Sequence, residues 1–237
     1  MTTLPVSEVF GPTLQGEGPF AGRAVQFIRL GGCNLSCSWC DTPYTWDASR
    51  FDLRKENPPT EVADIVAQLR PGMTVVISGG EPLLHQRRPA WERLLNEIDD
   101  LGCEIHIETN GTILPNLTTR RYVTHYSISP KLPSAGDHKS GQNPAMADGW
   151  LGLRNASIMP ARAVVKFVVF DAAEVDDAVI YAQEHGFPRS LVWVMPQGVE
   201  AEDLLAAWPS VADAAAAAGI NATQRLHVLA WGNTKGT

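Results

Sequence analysis

"AVQFIRLGGCNLSCSWCDTPYTWD" occupies residues 24–47. Five of its first seven residues are aliphatic or aromatic, two of them β-branched, the composition of a short strand. Gly31-Gly32 ends the run, and a loop with Cys33, Cys37 and Cys40 follows. The same construction, a β-type run passing into a polar or Gly-rich motif, recurs in "MTVVISGGEP" (73–82), "CEIHIETNGT" (103–112), "YVTHYSISPK" (122–131) and "SLVWVMPQG" (190–198). "RAVVKFVVF" (162–170) and "RLHVLAW" (225–231) read as further strands.

Helical patterns separate these runs. "TEVADIVAQL" (60–69) places Val62, Ile65, Val66 and Leu69 on one face. "AWERLLNEIDDLG" (90–102) does the same with Trp91, Leu94, Leu95, Ile98 and Leu101, and Gly102 stops it. "EVDDAVIYAQEHG" (174–186) is capped by Gly186, and "EDLLAAWPSVADAAAAAG" (202–219) is expected to break or kink at Pro209. The strands read as apolar on both faces, which predicts a parallel sheet of βα units. Motifs placed just after successive strands would meet at the C-terminal strand ends of an open, shortened β/α barrel, an α/β fold with a mostly parallel sheet. No repeat or shift in composition divides the chain, so residues 1–237 read as a single domain. The Gly-, Pro- and Ser-rich stretch from Lys131 to Pro160 is too long for a plain connection and predicts a lid, a binding loop or disorder.

Charge narrows the function. The net charge is −7 with no basic block, which argues against nucleic-acid binding. No run approaches the roughly 20 apolar residues of a membrane span, and the N-terminus lacks the basic-then-apolar pattern of a signal peptide. A cytoplasmic protein is expected, and there clustered cysteines mean metal or redox chemistry rather than disulfides. The spacing is C-x3-C-x2-C. A structural zinc site takes four ligands, and Cys103, inside a strand, reads as a buried core thiol. A [4Fe–4S] cluster held by three cysteines leaves one iron open, the mark of a catalytic centre. On spacing alone the zinc-related site and the open cluster both stand.

The surroundings separate them. The cysteine motif with Trp39 before its last member, and "SGGEP" (78–82) forty residues on, resembles the radical S-adenosylmethionine (SAM) superfamily. A narrower resemblance rests on "FGPTLQGEGPFAGRAVQFIRLGGCNLSCSWCDTPYTWD" (10–47) together with "SGGEP", "IETNGT", "SISPK" and "MPQG". From Phe10 to about Gly198 the chain is similar to the 7-carboxy-7-deazaguanine synthase family. That resemblance implies a radical SAM partial barrel and a lyase that converts 6-carboxy-5,6,7,8-tetrahydropterin to 7-carboxy-7-deazaguanine with loss of ammonia, in 7-deazapurine (queuosine-type) biosynthesis. It further implies a [4Fe–4S] cluster, SAM and Mg²⁺ as cofactors, a homodimer, and an external flavodoxin- or ferredoxin-like electron donor.

Carried over residue by residue, the resemblance assigns Cys33, Cys37 and Cys40 to the cluster and Thr42 to Mg²⁺. It places Trp39, Asp41, Gly80, Glu108, Asn110, Ser129, Pro130, Lys131, Met195 and Gln197 on the SAM side. Leu14, Gln15, Gly16, Glu17, Arg29, Ser78 and His227 fall to the substrate, with Gln15 or Glu17 on its guanidine-like edge and Arg29 on its carboxylate. No catalytic side chain is assigned, because the cofactor carries the radical chemistry. A charged Arg29 inside a barrel requires an anionic partner, which the substrate would supply. Gly80 would let the cofactor amine approach closely. His106, His125, His138 and His185 form no metal motif and read as structural or exposed, while His227 on the last strand is expected to face the pocket. The chain departs from longer-looped members in its plain three-residue spacing, and its "WGNTKGT" end (231–237) extends past where shorter members bring a terminal carboxylate to the substrate. The alternatives are a glycyl-radical activase, which shares the cysteine spacing, and a non-enzymatic iron–sulfur or zinc protein.

Overall fold

A computed structural model describes residues 2–153 and 162–236. Its strands are β1 (Thr3–Leu14), β2 (Ala24–Leu30), β3 (Pro59–Glu61), β4 (Val75–Gly79), β5 (Ile105–Thr109), β6 (Val123–Ile128), β7 (Ala163–Val169), β8 (Val192–Pro196) and β9 (Asn221–Ala222). Its helices are α1 (Leu53–Glu56), α2 (Val62–Val66), α3 (Pro89–Asp100), α4 (Leu117–Tyr122), α5 (Ala172–Glu184), α6 (Ala201–Ala218) and α7 (Leu226–Trp231). One nine-stranded sheet has the order β3-β1-β2-β4-β5-β6-β7-β8-β9. From β2 onward every neighbouring pair is parallel. This is the expected partial barrel, with strands in chain order and helices between them.

Three expectations change. The sheet begins with β1, a twelve-residue strand antiparallel to β2 and to β3. Its Pro5, Gly11 and Pro12 hide it from periodicity, and such residues are tolerated towards a sheet edge. Residues 225–231 are not a strand. The last strand is the two-residue β9, and Leu226–Trp231 turn into α7, whose start is tied by Leu226 N donating to Gly16 O at 2.9 Å. A six-residue apolar run fits either period, and this tertiary contact decides it. Finally, α6 runs unbroken through Pro209.

The strands are apolar on both faces only in part: Val25, Phe27 and Val76 form a small apolar cluster on the second face, which turns polar further along the strands. One face of each packs under the helices, in a core that includes Ile28, Leu30, Ile77, Ile107, Tyr126, Ile128, Val165 and Phe167. The residues between them, Arg29, Ser78, Glu108, Ser127 and Lys166, line the barrel interior. Helix α3 shows the outer layer's logic. Pro89 begins it, and Trp91, Leu94, Leu95 and Ile98 are fully buried on one face. Gly102, at φ +69°, ends it in a left-handed turn.

The first part of the long loop is ordered. Pro133–Ala135 and Trp150–Leu153 form 3-10 turns, and Trp150 Nε1 donates to Gly111 O at 2.7 Å. The rest of that expectation, residues 154–160, lies outside the described residues. Among the described residues no helix is long and apolar enough to cross a membrane.

Candidate active site

The C-terminal strand ends surround a cavity of ≈ 430 Å³, within the range of small-molecule sites. Strand register builds its floor. Glu8 pairs with Arg29 across β1–β2, and Arg29 with Ser78 across β2–β4. Glu108 pairs with Ser127 across β5–β6, so side chains on one level point inward together.

Hydrogen bonds join that level. Ser78 Oγ donates to Glu108 Oε2 at 2.9 Å, and Gln15 Nε2 donates to Glu108 Oε1 at 3.1 Å. The geometry thus groups Glu108 with the substrate-side residues. Arg29 Nε donates to Glu8 Oε1 at 2.7 Å, and Tyr44 Oη donates to the same oxygen at 3.0 Å. Arg29 thus has an anionic partner within the protein as well: Glu8, on the unforeseen β1, stands beside it.

Glu17 sits in a second knot. Its Oε2 receives Lys166 Nζ, and its Oε1 receives Arg225 Nε at 3.0 Å. Arg225 continues to Gly198 O at 2.6 Å and to Asp41 Oδ2. Burial alone would push the Glu17 carboxyl up, but Lys166, Arg225 and His227 outweigh it and hold the group well below the usual carboxylate range. With both oxygens held by cations, Glu17 is an internal counter-ion rather than a free acceptor. Its folded value lies below the unfolded 4.5, so its stabilisation is complete above that pH and is lost as the pH falls. The stability gap between wild type and Glu17→Gln, read by urea denaturation, is expected to narrow below pH 4.5. A gap constant from about pH 7 to pH 3 would refute this.

Two glycines owe their places to packing. A Cβ on Gly80 would overlap Gly32 O, so the cysteine loop's backbone by itself requires glycine there. A Cβ on Gly16 would overlap His227 Nδ1. His227 lines the cavity as expected, but from α7.

Cys33, Cys37 and Cys40 are free thiols that, with Trp39, Leu35 and Ala135, form a small cluster of their own. Lys131 lies across it, with Nζ 5.3 Å from the Trp39 ring and donating to Ser129 Oγ at 3.0 Å. The long loop straps the cysteine segment. Ser38 N donates to Ala135 O at 2.9 Å, Ser36 N to His138 Nδ1 at 3.1 Å, and Ser36 Oγ to Gln142 Oε1 at 2.7 Å. Glu81, fully buried, ties the neighbouring motifs together by accepting from Leu83 N, Asn110 N and Thr109 Oγ1 at 2.7–2.9 Å. Cys103 is buried at the other end of β5, where Sγ meets Arg70 O at 3.5 Å, so it is the expected core thiol.

These residues fit a cluster. Burial pushes the Cys33 thiol up to about 12 and raises Cys37 as well, so ligation here must release protons. Among the described residues no three His, Cys, Asp or Glu side chains are placed to close on a single ion. Three thiols on one loop fall one ligand short of a structural zinc site, and on a [4Fe–4S] cluster they would leave one iron open. The buried Trp39 Nε1 beside them lacks a hydrogen-bond partner in the protein, as a donor reserved for a bound group would.

Every residue nominated from sequence lines this cavity except Pro130, which is buried behind it. Sequence reading missed Glu8, Tyr44, Lys166 and Arg225, which also line it. A lysine inside "VVKFVV" was the available signal, since such a charge needs a partner. Arg225 carried none. The tail also lines the rim from Gly232 to Gly236, with Lys235 Nζ 3.3 Å from Glu56 and 4.3 Å from the Tyr44 ring centroid. Thr237 lies outside the described residues.

Residues 27–131 match the model of the Radical SAM superfamily. The chain is 36% identical to the 7-carboxy-7-deazaguanine synthase of Pyrobaculum aerophilum over 98% of its own length and 96% of the relative's. It is 35% identical to the enzyme of that name from Hyperthermus butylicus, over 96% of this chain and 93% of the other. The crystal structure of QueE from Escherichia coli superimposes with a TM-score of 0.63 at 25% identity, covering 96% of each chain.

Proposed function

The chain belongs to the 7-carboxy-7-deazaguanine synthase family of radical SAM enzymes, and from that premise we propose that it converts 6-carboxy-5,6,7,8-tetrahydropterin to 7-carboxy-7-deazaguanine with loss of ammonia. The observation that carries this reading is one cavity with two ends: a three-thiol loop at the rim, and a floor of Arg29, Ser78, Glu108 and Gln15. No observation favours the activase or the non-enzymatic reading. We take residues 1–237 as one domain, acting as a cytoplasmic homodimer supplied by a flavodoxin- or ferredoxin-like donor, as the resemblance implies.

When bound, a [4Fe–4S] cluster on Cys33, Cys37 and Cys40 together with SAM supplies the one-electron hydrogen-abstraction chemistry. The protein's residues place the pterin. Glu108, whose partners are the neutral Gln15 and Ser78, is the carboxylate suited to a guanidine-like edge, because two parallel N–H···O bonds can form. Arg29 gives Nε to Glu8 and keeps the terminal nitrogens of its fork for the substrate carboxylate. Thr42 lies on the turn after Cys40, lining the same cavity. We assign its hydroxyl, with oxygens of the substrate, to Mg²⁺, a hard cation that borrows substrate ligands readily. Asp41 is held by Arg225 and orients the loop rather than binding the metal.

The test is anaerobic turnover of the cluster-loaded protein with SAM, reductant and the carboxytetrahydropterin. Product is expected only with all three, rising with Mg²⁺, and Thr42→Ala should lose the response to Mg²⁺. Absence of product from a fully loaded enzyme would refute the activity, and equal rates in chelator and in Mg²⁺ would refute the metal role. Arg29→Ala removes a charge-assisted contact worth about 1.5–3 kcal/mol. It is expected to raise the KM for the pterin roughly 10- to 100-fold while leaving SAM affinity within about twofold. An unchanged KM would remove Arg29 from the substrate site.

A further inference from the structure

We propose that Trp46 sets the reduction potential of the iron–sulfur cluster through an N–H···S hydrogen bond to Cys40. The inference rests on the cluster reading above and concerns a residue to which that reading gives no role. Trp46 follows the 3-10 turn Pro43–Thr45 and lines the cavity. Its Nε1 donates to Cys40 Sγ at 3.3 Å.

Backbone bonds hold the turn that carries the indole, and one lysine stands over its ring. Trp46 N donates to Pro43 O at 3.1 Å, and Asp47 N to the same oxygen at 2.8 Å. Lys139 Nζ, from the strapping loop, stands 5.1 Å from the Trp46 ring centroid, while Lys139 N donates to Ser36 Oγ at 3.0 Å on the cysteine loop itself. Other groups reach the three thiols less closely. Leu35 N donates to Cys33 Sγ at 3.4 Å, Asn110 Nδ2 lies 4.0 Å from the same sulfur, and Thr42 Oγ1 lies 3.7 Å from Cys40 Sγ. Trp46 thus makes the shortest of these side-chain approaches to a ligand sulfur.

Reduction adds negative charge to the cluster and its thiolates. A donor on a ligating sulfur stabilises the more negative state more strongly, and such bonds are among the protein's means of tuning cluster potentials. The Lys139 ammonium over the same ring acts in the same direction. Trp46 therefore makes the cluster easier to reduce.

The experiment compares wild type with Trp46→Phe, which keeps an aromatic ring and loses the N–H. Both are reconstituted anaerobically and assayed for iron and sulfide, and their midpoint potentials are read by EPR-monitored titration without SAM. Trp46→Phe is expected to load fully, yet to show about a tenfold lower reduced-to-oxidised ratio at any poised potential, equal to about 59 mV for one electron. Trp46→His, which retains a ring N–H, should move back towards wild type. A midpoint that is unchanged or raised in Trp46→Phe overturns the proposal.

Should Trp46→Phe fail to fold, tryptophan labelled with ¹⁵N in the indole is read in a Trp39→Phe background. Pulsed ENDOR of the reduced cluster should then show a coupled nitrogen, and its absence overturns the proposal equally. Failure of the underlying cluster reading looks different: wild type itself would then take up no iron.

Discussion

Alanine at Cys33, Cys37 or Cys40 is expected to leave the purified protein without its cluster and to reduce the formation of 5′-deoxyadenosine to background. The three thiols share one loop, and among the described cysteines the fourth, Cys103, lies before the N-terminal end of β5, against Arg70 O. Among the described residues no other thiol lies beside the loop to replace a lost ligand. Cys103→Ala should keep full iron and sulfide and lose only about 1 kcal/mol of packing. Iron and sulfide counts, visible absorbance and 5′-deoxyadenosine yield on the four variants decide the matter. A Cys103→Ala protein without iron would overturn the three-cysteine site, as would a Cys37→Ala protein with a full cluster.

Arg225→Ala is expected to lower stability by about 3–5 kcal/mol and to abolish turnover even where the cluster still forms. Arg225 is buried and spans three segments: Glu17 after β1, Asp41 in the cysteine loop and Gly198 after β8. Removing it leaves Glu17 with Lys166 and the more distant His227 and lets the loop that carries Cys40 part from the substrate floor. The Asp41 limb contributes little to the energy, because that side chain is 37% exposed and screened by water. The Glu17 limb carries most of it. Arg225→Lys cannot rescue the loss, since one ammonium cannot hold both carboxylates in the geometry of a planar fork. Urea denaturation of Glu17→Gln, Arg225→Ala and the double variant forms a cycle in which the double variant should be less unstable than the sum of the singles. Strict additivity, or an Arg225→Ala enzyme with normal turnover, would show that the knot does not couple the two ends of the cavity.

The parts of this protein that its sequence alone determined are those written in short range. Residues 24–30, 75–79, 105–109 and 192–196 are strands in runs read directly from their β-branched and aromatic residues. Each carries its motif at its C-terminal end, and βα alternation implies that such ends meet on one side of the sheet. The cysteine spacing likewise needs only eight consecutive residues. The polar positions within "IHIET" go unread as barrel-facing, because the strands read as apolar on both faces. Tertiary structure decided the rest, because the deciding partners are distant in the chain. Glu17 meets Lys166 across 149 positions and Arg225 across 208. Arg29 finds Glu8 on a strand that its own prolines and glycine disguise, and "RLHVLAW" becomes a helix where Leu226 meets Gly16. A local pattern reports the period of a segment and the loop that follows it. Which buried charge neutralises which is settled only when the sheet closes, since a charge in the interior must find its counter-ion wherever the fold brings one.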